Sequence, residues 1–169
     1  MSKRARQYIG ILAAVIAYYL VHEGAHLLYA LFTGVFRQVN FMGLGVQVDV
    51  FRERMTDTQL GIFCLAGALA TFCMAYLLTA LAKKIGMARS KLLRAVLYYI
   101  TIALLIDPLY LSVLCGLFGG GDMNGIALLV PEWAARVGFG ALLIVNGLMF
   151  WKRVLPVYSS SFSNREAQT

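Results

Sequence analysis

QYIGILAAVIAYYLVHEGAHLLYALFT, residues Gln7 to Thr33, is apolar throughout except at His22, Glu23 and His26. A helix over this stretch, at about 1.5 Å per residue, exceeds the ~30 Å hydrocarbon core of a bilayer. Three further apolar segments follow: 59–82, 92–118, interrupted by Asp107-Pro108, and 122–151, split by Pro131, Glu132 and Arg136. The chain of 169 residues is 60% hydrophobic and only 14% charged, with a mean hydropathy of +0.74. Soluble domains are nearer 45–50% apolar and about 25% charged. The expected fold is therefore an all-α polytopic membrane protein, a bundle of about four transmembrane helices in one domain spanning 1–169. The short apolar piece of the last segment, before Pro131, is expected to be re-entrant or interfacial, and the Ser-rich tail from Pro156 to fray.

The net charge is +7. In a chain this apolar, it is expected to flank membrane helices and meet lipid headgroups, so no nucleic-acid partner is expected. Lys3, Arg4 and Arg6 precede the first segment. Lys83, Lys84, Arg89, Lys91 and Arg94 separate the second from the third, and Lys152, Arg153 and Arg165 follow the last. With four spans these residues share one side, leaving Arg37, Arg52, Arg54 and Arg136 for the other. That bias predicts cytoplasmic termini. The N-terminal run opens like a signal peptide, but its apolar stretch is too long, and a retained first span is expected. Cys64, Cys73 and Cys115 lack metal-ligand spacing and are expected to be small packing residues.

The connection 34–58 is long for a structureless loop. In GLGVQVDVF (43–51) small or apolar residues alternate with Gln47 and Asp49. Together with FRQVNF (36–41) this period-two pattern predicts a β-hairpin lying on the membrane after the first helix.

The chemistry is concentrated in VHEGAH (21–26). His22 and His26 are the only histidines in the chain. Four residues apart on a helix, they share a face and can meet one metal ion. Zinc suits two neutral imidazoles and a carboxylate, with a fourth position open to water. Glu23, beside the metal rather than aimed at it, has the geometry of a general base. Ionisable groups at membrane depth are costly, which favours function over helix glue. The third ligand must come from few acids. Asp49, Glu53 and Asp57 lie in the long loop and Glu166 in the tail, leaving Asp122, Asp107 and, less favourably, Glu132. Asp122 follows three glycines in GGGDMNGIALL (119–129) and can be presented from a chain break. Helix arithmetic places Asp107 at the depth of His22, whereas Asp122 on a straight helix overshoots by roughly 20 Å. Asp122 reaches the histidines only if the third segment ends early or Gly119–Gly121 folds back.

These motifs resemble the site-2 protease family of intramembrane zinc metalloproteases, especially its small bacterial members. HEGAH matches the family's His-Glu-x-x-His. GVFRQVNFMGLGVQVDV (34–50) is similar to the membrane-associated hairpin that follows it, with Gly43 and Gly45 where such glycines are expected. GGGDMNGIA (119–127) is similar to the late aspartate motif. AGALAT (66–71) keeps Gly67 of a second-helix element but has Ala68 and Thr71 in place of Pro and Asn. Met123 stands where the late motif often has Gly. The resemblance implies a Zn2+ cofactor held by His22, His26 and Asp122, with Glu23 catalytic. It also implies an endopeptidase of the bacterial cytoplasmic membrane cleaving transmembrane segments or remnant signal peptides. A non-proteolytic zinc-binding regulator and a proton or ion transporter are the alternatives.

Overall fold

The computed structural model describes residues 1–42, 45–117 and 121–166. The chain is mostly helical, with one two-stranded antiparallel sheet. Helix α1 (Lys3–Thr33) starts where the Ser2 hydroxyl accepts from the Ala5 amide. It ends at Gly34, whose left-handed φ of 70° lets its amide cap the Ala30 and Leu31 carbonyls. The predicted hairpin follows as β1 (Phe36–Met42) and β2 (Gly45–Val50), with Val39 opposite Val48 and Phe41 opposite Val46. Gly43 lies outside the described residues. A Thr56–Gln59 capping box opens α2 (Asp57–Gly86), and Ser90 caps α3 (Lys91–Leu105).

The third apolar segment is not one helix to residue 118. Helix α3 stops at Leu105, and a short α4 (Pro108–Ser112) and a 3-10 turn (Leu114–Gly116) follow. Pro108 cannot donate a helical hydrogen bond, and the Leu109 amide bonds the Ile106 carbonyl instead. The Leu105 carbonyl is then taken by the buried Asn146 amide at 2.8 Å, with Tyr76 donating to the Asn146 oxygen at 3.0 Å. The fourth segment divides at Pro131. A short α5 (Gly121–Ile126) is separate from α6 (Glu132–Met149). From α6 the chain continues through a π-helical turn, Phe150–Val154, into α7 (Leu155–Glu166). The tail from Pro156 to Glu166 is therefore helix, not frayed chain. The wide turn just before Pro156 accommodates its ring and missing amide, and Tyr158 is buried against Tyr98.

Among the described residues four helical stretches are long and apolar enough to cross a membrane: Lys3–Thr33, Asp57–Gly86, Lys91–Ser112 and Glu132–Phe162. Many large apolar side chains on them face outward, among them Leu20, Phe32, Trp133, Ile144 and Trp151. Cys64 and Cys115 are buried as expected, but Cys73 is on the outer face. Helix α1 packs on α3 and α2, α2 on α5, and α4 on α6. Gly10 allows the first contact to be close, since a Cβ there would lie 2.5 Å from the Tyr99 ring. At that end of the bundle Lys3, Arg6, Tyr99 and Phe162 line one cleft, and Gly86 meets Val157. The basic start of α1 thus lies beside α3 and α7.

Candidate metal centre

Tyr18, His22 and His26 recur every four residues and so line one face of α1. Both histidines are buried, at 5% and 3% exposure. His26 Nδ1 lies 2.8 Å from the Phe63 carbonyl oxygen. A carbonyl only accepts, so Nδ1 carries the proton and the lone pair of Nε2 faces α5. There, Asp122 Oδ2 is 2.9 Å from His22 Nε2 and 3.4 Å from His26 Nε2.

The early end of α3 is what brings Asp122 back to the histidines, meeting the depth requirement read from the sequence. Gly119 and Gly120 lie outside the described residues; Gly121 opens α5 with a φ of +22°. Of the other acids considered as ligands, Glu132 is paired with Arg136 at 2.6 Å and does not enter the site. Asp107 is buried behind His22. It accepts from the Tyr18 hydroxyl on Oδ1 and the Thr71 hydroxyl on Oδ2, each at 2.5 Å. Its Oδ1 lies 3.9 Å from His22 Nδ1.

The donor set fits zinc. Metal–ligand bonds of about 2.0–2.1 Å in a tetrahedral arrangement separate neighbouring ligand atoms by roughly 3.3 Å, close to the two distances from Asp122. Gly67 supplies the remaining clearance. A Cβ there would fall 2.6 Å from Nε2 of both His22 and His26, so only glycine lets α2 close over this face. His22, Glu23 and His26 also bring one ligand atom each within 4.8 Å of one another. Of that group Glu23 is the less committed to the metal, because its Oε2 accepts from the Val48 amide of β2 at 3.1 Å.

The site opens into a cavity of about 650 Å³ whose walls include β2, Tyr19, Tyr110 and Asn124. Sequence reasoning assigned no role to Tyr18, Thr71 or Phe63. The i, i+4 spacing of Tyr18 ahead of His22, and Thr71 as a polar residue in an apolar stretch, are the available signals for two of them. Comparison of the chain with protein-family models, with curated proteins and with solved structures returned no match.

Proposed function

We propose that this chain is an intramembrane zinc-dependent endopeptidase acting on transmembrane segments or remnant signal peptides. The observation that carries this reading is the convergence of His22 Nε2, His26 Nε2 and Asp122 Oδ2 on one point inside a helix bundle with an apolar exterior. That exterior supports membrane insertion: in water, large apolar side chains on all four long helices would be left uncovered.

Zinc held by these three residues would polarise a peptide carbonyl and acidify a water molecule. Glu23 stands next to the ligands and keeps a carboxylate oxygen at the cavity. It takes the water's proton and returns it to the departing amide nitrogen. Tyr18, Phe63 and Gly67 shape the inner wall and limit water. A helical substrate hides its scissile amide in hydrogen bonds, so it must unwind to react. The unpaired edge of β2 beside the cavity offers an extended segment backbone partners.

The experiment is cleavage of a single-span membrane peptide by detergent-purified protein reconstituted in liposomes. Activity is expected to need zinc, to be lost with a chelator and to return with added zinc. Wild-type chain that contains zinc but cleaves none of a broad panel of single-span peptides would favour the non-proteolytic regulator.

A further inference from the structure

A buried carboxylate needs compensation, and hydroxyl donors do not supply opposite charge. Asp107 is 3% exposed, and among the described residues the basic group within 4.0 Å of it is His22. Conversely, His22 Nδ1 is a buried polar atom without a hydrogen-bond partner. The proton of a metal-ligating imidazole sits on the nitrogen opposite the metal, so Nδ1–H must find an acceptor on the Asp107 side. We infer that Asp107 is the positioning residue of the metal centre. Its carboxylate accepts from His22 Nδ1–H and fixes the ring with Nε2 toward the ion, while Tyr18 and Thr71 fix the carboxylate.

The four residues come from three places in the chain: Tyr18 and His22 from α1, Thr71 from α2, and Asp107 from the break between α3 and α4. Their closure around one carboxylate gives that break a purpose. A continuous helix through residue 107 would keep Asp107 in the ladder of α3; the kink at Pro108 delivers it behind His22. At 3.9 Å the contact is too long for a hydrogen bond, so the inferred bond requires a small rotation of the His22 ring when the ion binds. Partners of this outer kind are worth about 10–100-fold in metal affinity.

This inference rests on the metal-centre reading above, and the two are tested separately. Zinc affinity is measured by chelator competition on detergent-purified, monodisperse protein. Visible absorption of the cobalt(II)-substituted form and the unfolding midpoint of the metal-free form are recorded alongside. His22→Ala and Asp122→Ala test the metal centre; Asp107→Asn, Tyr18→Phe and Thr71→Val test the positioning role. Asp107→Asn is expected to bind zinc at saturation with affinity lowered about 10–100-fold and with shifted cobalt bands. Tyr18→Phe and Thr71→Val are expected to lower affinity less, in the same direction. A purely structural role would lower the metal-free midpoint and leave the cobalt bands unmoved, and that result overturns the inference. Folded Asp107→Asn that binds no zinc at saturation also overturns it, by making Asp107 a ligand. Should Asp107→Asn fail to fold, wild-type affinity and cobalt bands in Tyr18→Phe would have the same force. Wild-type chain that binds neither metal removes both readings.

Discussion

His22 has a front and a back, and an aspartate stands at each. In front, Asp122 comes from a short helix after a glycine run, keeps its side chain 19% exposed and turns one oxygen toward both Nε2 atoms. At the back, Asp107 comes from a proline-broken helix and has both oxygens taken by hydroxyl donors. Charge does not distinguish them, since both lie beside the same imidazole. What distinguishes them is which lone pairs remain free. A carboxylate already serving Tyr18 and Thr71 has little left for an ion, whereas Asp122 meets only the histidines.

The sharpest way to break this contrast is to remove the front carboxylate. Asp122→Ala is expected to take zinc stoichiometry from about one per chain to near none, measured by metal analysis after desalting. Full occupancy in that variant would move the ligand role elsewhere. Next in size, Glu23→Gln is expected to retain zinc while cleavage falls about 100-fold or more, because the amide keeps the shape but not the basicity. Wild-type turnover of a confirmed substrate would deny Glu23 its role. Gly67→Ala probes the space both faces share. Its methyl group would push on both Nε2 atoms, with overpacking of about 1–3 kcal/mol and weakened zinc binding; unchanged affinity would mean that α2 can retreat. The smallest effect is expected from Asn146→Leu, which abandons the Leu105 carbonyl just before Asp107. A loss of about 1–3 kcal/mol in thermal or denaturant unfolding should come with a zinc affinity reduced less than in Asp107→Asn. An affinity loss as large as that of Asp107→Asn would show that the helix break, not the carboxylate, governs the back of His22.

The front of the site was legible in the sequence because its rules are local. Four-residue spacing places His22 and His26 together, and alternation in residues 45–50 marks β2. The back was not, because it is assembled from positions far apart in the chain. Asp107 could be weighed as a ligand at the depth of His22 or as a partner of backbone freed by Pro108, since nothing local says that Tyr18 and Thr71 occupy its oxygens. Gly67 was visible as a retained glycine, but its reason, two imidazole nitrogens where its Cβ would be, exists only once α1 and α2 pack. The end of α3 is a similar case. Asp107-Pro108 announced an interruption, but not that Asn146, far along the chain, would receive the Leu105 carbonyl that the Leu109 amide passes over. The tail misled for the opposite reason: serines and a proline favour loose chain, but Tyr158 has an aromatic partner on α3 and a π turn absorbs the proline.

The amide of Val48 has a single hydrogen, and in the resting chain it goes to Glu23. Under the proposed function, an extended guest that pairs with the free edge of β2 would claim that hydrogen for one of its own carbonyls. The two uses are mutually exclusive. Arrival of the guest and release of the base would then be one exchange, and an empty enzyme would keep its base idle until there was something to cut.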